Sequence, residues 1–165
     1  MSKRGKRGEK APLCRKVNTR THGVNHGSGK RAAYERGTKS GAQTSMHSGQ
    51  RHGFDYTPLF RFLLSRVGQD WDTVYSEAVS RLDKPEPIFW IVAEHEADRR
   101  DLIRYGESSY FSGLFIDAEG KLAVVDPSIT PERIQPQCPC CTHSLNGKPV
   151  PRKFEKHGLP LVAPL

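Results

Sequence analysis

Apolar residues are concentrated in the later part of the chain, which turns apolar at Phe54. From there an apolar residue recurs every three or four positions, which predicts an amphipathic helix over about 57–67. Thr57-Pro58 is a typical helix start, because a capping hydroxyl precedes a proline at the first helical position. Gly68 is expected to end the helix. Its apolar face consists of Leu59, Phe60, Leu63, Leu64 and Val67.

A second helix is predicted to begin at Asp70, whose carboxylate is suited to cap it. Glu77 and Arg81 lie on its polar face at the spacing of a helical ion pair. The two prolines of residues 84–87 end this helix. Because the link between the two helices is short, we expect them to pack as a hairpin. The apolar face of the second helix consists of Trp71, Val74, Tyr75, Ala78, Val79 and Leu82.

The next apolar run, residues 88–93, is ambiguous between a buried strand and a helix, since periodicity does not separate the two in so short a run. The charged residues after it have a helical composition, so we predict one helix from about 87 to 104. Its acidic residues and its histidine are interpreted as a solvated helix face rather than as a metal or acid–base site. These residues are Glu94, His95, Glu96, Asp98 and Asp101.

A β-hairpin is predicted after this helix. Residues 110–116 have the pattern of a strand, residues 117–120 form a turn that ends in glycine, and residues 121–125 form the returning strand. The predicted fold class is therefore α+β, a small globule of two or three helices with a β-hairpin.

The segment from Val67 to Glu77 reads Val-Gly-Gln-Asp-Trp-Asp-Thr-Val-Tyr-Ser-Glu. It resembles a segment of small, basic, uncharacterised bacterial and phage proteins. The resemblance is limited to this stretch. It implies a bacterial or phage origin and no known activity.

Charge divides the chain more sharply than hydropathy does. Residues 1–53 contain thirteen Lys and Arg against two acidic residues, a net charge of +11, whereas residues 54–165 contain thirteen against sixteen, a net charge of −3. We therefore predict three parts: a basic, Gly-rich flexible arm (1–53), an α+β globular domain (54–135), and a Cys-rich knuckle with a Pro-rich tail (136–165). The arm has too few apolar residues to offset the entropy of ordering, so we expect it to be disordered when free.

Such an asymmetric distribution of charge is typical of proteins that bind a polyanion. Clustered Lys and Arg neutralise phosphates and release condensed counterions. No recognition helix is evident, which favours RNA over sequence-specific duplex DNA, and a large ribonucleoprotein such as the ribosome is the expected setting. The candidate phosphate contacts are Lys3, Arg4, Lys6, Arg7, Lys10, Arg15, Lys16, Arg20, Lys30, Arg31 and Arg36.

Two groups of cysteine and histidine suggest a zinc site. Cys138-Pro-Cys140-Cys141-Thr-His143 contains the C-P-x-C spacing of a zinc knuckle. The turn signal Asn146-Gly147 and a short returning strand over about 148–154 are expected to follow it. Within the arm, Cys14, His22 and His26 form a second, looser group.

A single half-site supplies too few ligands for a zinc ion. The predicted ligands are Cys138 and Cys141, and the completing ligands would come from Cys140, His143 or His157, or from Cys14, His22 and His26 in the arm. Structural or surface thiols and a redox pair remain alternatives for the cysteines. The histidines of the arm are equally consistent with hydrogen bonding in an RNA-contacting loop.

The function expected from the sequence is that of a non-enzymatic RNA-binding protein, an accessory component of a large ribonucleoprotein. The alternatives are a metal-dependent nuclease and a protein-interaction module whose basic tail is incidental. The chain has no apolar run long enough for a membrane span and no signal-like start. We therefore expect a cytoplasmic protein with reduced cysteines, no membrane partner, and protein partners bound through the globular domain.

Overall fold

The computed structural model describes residues 9–16, 54–105, 109–139, 143–156, 158 and 160–165. In these residues it has an α+β fold, as predicted. Its α-helices are α1 (Thr57–Ser65) and α2 (Trp71–Ser80). Its strands are β1 (Arg15–Lys16), β2 (Phe54–Asp55), β3 (Val92–Ala93), β4 (Leu102–Tyr105), β5 (Ser109–Ser112), β6 (Leu114–Ile116), β7 (Leu122–Val124), β8 (Ser144–Leu145) and β9 (Lys148–Pro149).

The strands form three small sheets. Strands β1 and β2 pair antiparallel, the second sheet has the order β3-β6-β7, and the third has the order β4-β5-β8-β9. Two of the pairs, β3 with β6 and β5 with β8, are parallel, and the other pairs are antiparallel. Strands from distant parts of the chain therefore meet in each sheet.

Both predicted helices are confirmed, and their starts are fixed by aspartates. The Asp70 carboxylate accepts a hydrogen bond from the Thr73 amide at 3.0 Å, which is the predicted cap of α2. At the start of α1 the predicted Thr57 cap is wrong, because Thr57 is the first residue of the helix and its amide donates to the Asp55 carboxylate at 2.9 Å. None of the helices in the described ranges has the length and hydropathy that a bilayer crossing requires.

Side-chain contacts connect α1 and α2, the two helices that were expected to pack as a hairpin. The Arg66 guanidinium, just beyond α1, lies 3.5 Å from the Glu77 carboxylate in the middle of α2. The Arg81 guanidinium, just beyond α2, lies over the ring of Phe62 in α1, 5.1 Å from its centre. The predicted helical pair between Glu77 and Arg81 is also present, at 2.9 Å.

The single helix predicted over about 87–104 is wrong. This stretch instead contains two short 3-10 helices, Glu86–Trp90 and Glu96–Asp98, together with β3 and β4. Strand β3 pairs with β6, and β4 pairs with β5, so hydrogen bonds to distant strands replace those of a helix. Helix propensity differs by less than about 1 kcal/mol per residue, and sheet pairing with burial of apolar residues outweighs it.

The predicted β-hairpin is confirmed as β6 and β7, joined by a turn in which Gly120 has φ +77°. The strand predicted over 110–116 is divided at Gly113 into β5 and β6, which belong to different sheets. A Cβ atom on Gly113 would overlap the Arg100 carbonyl oxygen. The glycine thus allows two backbones to touch where the chain passes from one sheet to the other.

Buried apolar residues form two clusters. The larger cluster joins α1 and α2 to the sheets, and Leu59, Phe60 and Leu63 of α1 are fully buried in it. The smaller cluster consists of Tyr110, Ile129, Ile134 and Leu145. Leu13 also belongs to the larger cluster, so the structure adds residues 9–16 to the globule, although the sequence had assigned them to the flexible arm.

Candidate nucleic-acid interface and metal-ligand pair

The segment 9–16 is held on the globule by backbone hydrogen bonds and by one apolar anchor. The Leu13 amide donates to the Arg81 carbonyl at 2.9 Å, and the Arg81 guanidinium donates back to the Ala11 carbonyl at 2.8 Å. The Leu13 side chain is only 3 % exposed. Leucine burial of this kind stabilises a fold by about 1.5–3 kcal/mol, which explains why these residues pack although their neighbours in the sequence are polar.

The pairing of β1 with β2 brings the two ends of residues 17–53 together. Arg15 lies opposite Asp55, and Lys16 lies opposite Phe54. The basic region predicted as one N-terminal arm is therefore two segments, residues 1–8 before the docked segment and residues 17–53 closed at both ends. The first has four Lys and Arg and no acidic residue, and the second has six Lys and Arg and one acidic residue.

Two of the predicted phosphate contacts form ion pairs with the globule. The Lys10 ammonium lies 2.8 Å from the Glu77 carboxylate, which Arg81 and Arg66 also contact. The hydrogen bond from Lys10 lowers the pKa of Glu77 most strongly, and the charges of Lys10 and Arg66 lower it further. The Arg15 guanidinium donates to the Asp55 carboxylate. The charges of Lys10 and Arg15 are therefore already paired with carboxylates of the globule.

Lys16 lies in β1, and its backbone is paired with Phe54. The remaining predicted contacts lie outside the described residues. These are Lys3, Arg4, Lys6, Arg7, Arg20, Lys30, Arg31 and Arg36.

A second basic surface was not predicted from the sequence. It is built around the turn between β8 and β9, where the Arg61 guanidinium of α1 lies against Gly147. Four further exposed cations follow within residues 148–156, which contain a single acidic residue. Counting charge in short windows would have found this group, which consists of Lys148, Arg152, Lys153 and Lys156.

Of the predicted metal ligands, Cys138 and His143 lie together. The Cys138 sulfur is 3.9 Å from the His143 Nε2 atom. The His143 side chain is only 3 % exposed, and its ring stacks on that of Tyr110 with the two centres 5.6 Å apart. The Arg104 guanidinium lies over the same tyrosine ring, 5.7 Å from its centre.

The predicted turn after His143 is confirmed. Asn146 and Gly147 have φ values of 52° and 81° and connect β8 to β9, which is the arrangement expected of a tight Asn-Gly hairpin turn. The Asn146 side chain accepts a hydrogen bond from the Ser112 amide at 2.9 Å and donates to the Ser112 hydroxyl at 2.9 Å. The returning strand is Lys148–Pro149 and is shorter than predicted.

Cys14 has different surroundings. It packs against the larger cluster beside Asp83. Burial raises the pKa of the Cys14 thiol, and the charge of Asp83 adds to this effect.

The other candidate ligands lie outside the described residues; these are Cys140, Cys141, His22, His26 and His157. Within the part of the chain that the structure describes, no three His, Cys, Asp or Glu side chains come together as a metal-binding group. The prediction of a complete zinc site therefore stays a prediction.

A cleft of about 630 Å³ lies between the Glu86–Trp90 3-10 helix and β4. Its lining combines the aromatic side chains of Phe89 and Trp90 with charges of both signs, Glu94 and Arg100 among them. Such a mixed lining has no preference for a polyanion. The basic segments next to β1 remain the stronger candidate for binding one.

No protein-family model, no curated protein and no solved structure matches this chain.

Proposed function

We propose that this protein is a non-enzymatic RNA-binding protein and an accessory component of a large ribonucleoprotein such as the ribosome. The observation that carries the proposal is the separation of charge about the docked segment 9–16. Strongly basic residues precede and follow this segment, and the globule to which it is fixed has an excess of acidic residues.

Affinity in the proposed complex comes from neutralised phosphates. For single-stranded nucleic acid, each phosphate contact contributes about 0.7 to the slope of log K against log salt, through the release of a condensed counterion. Residues 1–8 and 17–53 supply ten Lys and Arg, four and six respectively. Lys10 and Arg15 are less available, because Glu77 and Asp55 already bind them.

The described helices favour RNA over duplex DNA as the target. A helix that reads the major groove presents basic and polar side chains along one exposed face. Helix α2 contains no Lys or Arg, and the only one in α1 is Arg61. Four residues of α1 are buried in the globule: Leu59, Phe60, Phe62 and Leu63.

The closure of residues 17–53 supports a defined mode of attachment. Because β1 and β2 pair, an RNA bound by this segment is tethered at a single place on the globule. The docked segment would then provide position, and the two basic segments would provide affinity. We propose that the globule uses its remaining surface for protein partners in the cytoplasm.

The experiment measures binding of a labelled single-stranded RNA at several salt concentrations. One variant replaces Lys3, Arg4, Lys6 and Arg7 by glutamine, and a matched variant replaces Lys148, Arg152, Lys153 and Lys156. We expect the first variant to bind more weakly, with a shallower salt dependence than the wild-type protein and the matched variant. Equal losses in the two variants would contradict the assignment of affinity to the N-terminal segments.

The same wild-type and variant proteins distinguish the two alternative functions, a nuclease and a protein-interaction module. Metal-dependent cleavage of the RNA that His26→Ala abolishes would overturn the non-enzymatic proposal in favour of a nuclease. If the variant without N-terminal charge recovers the same cellular partner as the wild type, with no RNA crosslinked to either, the protein is an interaction module. Sequencing of RNA crosslinked to the wild-type protein in cells identifies the complex.

A further inference from the structure

We propose that Cys138 and His143 are two ligands of a structural zinc ion that fastens the C-terminal hairpin to the globule. This inference goes beyond RNA binding, because it concerns a different part of the chain and a different ligand. A thiolate and an imidazole nitrogen are the donors that zinc prefers in structural sites.

The separation of the two donor atoms fits one shared ion. Zinc–sulfur and zinc–nitrogen bonds of about 2.3 and 2.0–2.1 Å, at a tetrahedral angle, put the two donors about 3.6 Å apart. The observed distance from the Cys138 sulfur to the His143 Nε2 atom is 3.9 Å. An ion therefore fits between them with a shift of a few tenths of an ångström.

The His143 ring is held in position by the fold itself. It is buried and stacked on Tyr110, and the His143 carbonyl accepts a hydrogen bond from the Val150 amide at 3.0 Å. The parallel pairing of β8 with β5 aligns Ser144, the next residue, with Ser109. A ligand that is fixed before the metal arrives loses little entropy on binding.

The segment that leads to Cys138 is anchored independently. The Gln135 amide donates to the Leu161 carbonyl at 2.8 Å, and the Gln135 side chain donates to the Lys153 carbonyl at 2.8 Å. The Gln137 side chain donates to the Gln135 carbonyl at 3.2 Å. The two ligands therefore belong to separately positioned pieces of chain, and a shared ion would link them.

The apolar core near Cys138 and His143 is small, so an ion bound there would help to stabilise this part of the fold. Among the described residues, the cluster beneath the hairpin has four buried apolar residues, Tyr110, Ile129, Ile134 and Leu145, with Leu102, Val150, Leu161 and Val162 partly buried against them. A metal ion bound beside this cluster would add its binding free energy to the stability of the folded hairpin. A tetrahedral ion needs further ligands, and the C-P-x-C spacing assigns Cys141 as a sequence-based prediction.

The test is a titration of the metal-free full-length protein with Co²⁺, followed by displacement with Zn²⁺. Thiolate ligation gives a charge-transfer band in the near ultraviolet. We expect Cys138→Ser and His143→Gln each to weaken binding by roughly 100-fold, at least as much as the loss of an outer-shell partner. The matched control is His95→Gln, which removes an exposed imidazole outside the proposed site and is expected to leave the titration unchanged.

A second measurement does not depend on the folding of the variants. Zinc that binds the native state raises the thermal midpoint of the wild-type protein, and the shift grows with zinc concentration. Absence of both the cobalt spectrum and this shift would overturn the proposal. An unchanged titration in Cys138→Ser would also overturn it. Neither readout involves RNA, so each result is independent of the proposed function.

Discussion

Arg15 and Asp55 lie opposite each other across the β1–β2 pair, and their side chains form an ion pair although 40 positions separate them in the chain. Asp55 is only 6 % exposed. The same carboxylate accepts from the Thr57 amide and hydroxyl, at 2.9 and 2.7 Å. One carboxylate thus closes the basic segment 17–53 and starts the first helix.

The Asp55 interactions make stability depend on pH. Burial raises the pKa of Asp55, but hydrogen bonds from Thr57 and Arg15 outweigh it and hold that pKa below the usual 3.8. A lowered pKa in the folded state means that this stabilisation is present above about pH 4 and is lost as the pH falls through the folded value. We expect Asp55→Asn to lower the free energy of unfolding by about 1 kcal/mol at pH 7.

Urea denaturation of both proteins from pH 7 to pH 3 measures this effect. The difference between the wild type and Asp55→Asn should shrink toward pH 3, because below about pH 4 the unfolded wild-type protein takes up a proton at this carboxyl more readily than the folded protein does. A difference that stays constant over this range would show that the Asp55 charge is not involved.

The burial of Leu13 predicts that the docked segment contributes to global stability. Leu13→Ala removes a side chain that is 3 % exposed, and such substitutions cost about 2–5 kcal/mol. Leu165→Ala is the matched control, because Leu165 is 98 % exposed and its loss should change stability by less than about 0.5 kcal/mol. Chemical denaturation measures the stability of both variants. Equal denaturation midpoints for Leu13→Ala and Leu165→Ala would contradict the packing of residues 9–16.

The close approach at Gly113 predicts that this glycine does not tolerate a side chain. In Gly113→Ala the new Cβ meets the backbone oxygen of Arg100, which has no rotamer to move away. We expect a loss of at least about 2 kcal/mol. The control Gly120→Ala places a methyl in open space at φ +77° and should cost about 1–2 kcal/mol from backbone strain alone. The reverse order of urea midpoints would refute the argument.

The ion pair of Lys10 predicts unequal roles for two lysines of the basic region. Lys6→Gln should reduce the salt slope of single-stranded RNA binding by about 0.7, the value of one phosphate contact. Lys10→Gln should change it less, since the Lys10 ammonium already lies 2.8 Å from the Glu77 carboxylate. Binding titrations at four or more salt concentrations measure both slopes. Equal changes would mean that Lys10 leaves Glu77 when RNA binds.

Several local elements were predictable from the sequence because their determinants lie within a few residues of one another. Asp70 and the apolar spacing after it defined α2, and the same reasoning located α1. The turns that end in Gly120 and Gly147 were recognised because both positions require positive φ. For the candidate site, the C-P-x-C spacing pointed to Cys138 and Cys141, and His143 was one of several possible completing ligands; the 3.9 Å between Cys138 and His143 was not predictable from it.

Other features depended on partners that are distant in the chain. Residues 87–104 have a helical composition, but β3 and β4 form because β6 and β5 are available to pair with them. Residues 9–16 were assigned to a flexible arm on composition. The buried Leu13 side chain, hydrogen bonds with Arg81, and ion pairs with Glu77 and Asp55 hold them on the globule.

The sequence by itself determined the α+β class, both α-helices, the tight turns and the segregation of charge, because each follows from local spacing or from composition. Only the tertiary structure decided that the chain passes between two sheets at Gly113, that β1 and β2 hold the ends of residues 17–53 together, and that the Cys138 sulfur lies 3.9 Å from His143. The physical reason is that such contacts depend on burial and hydrogen bonding between segments whose proximity the linear pattern does not encode.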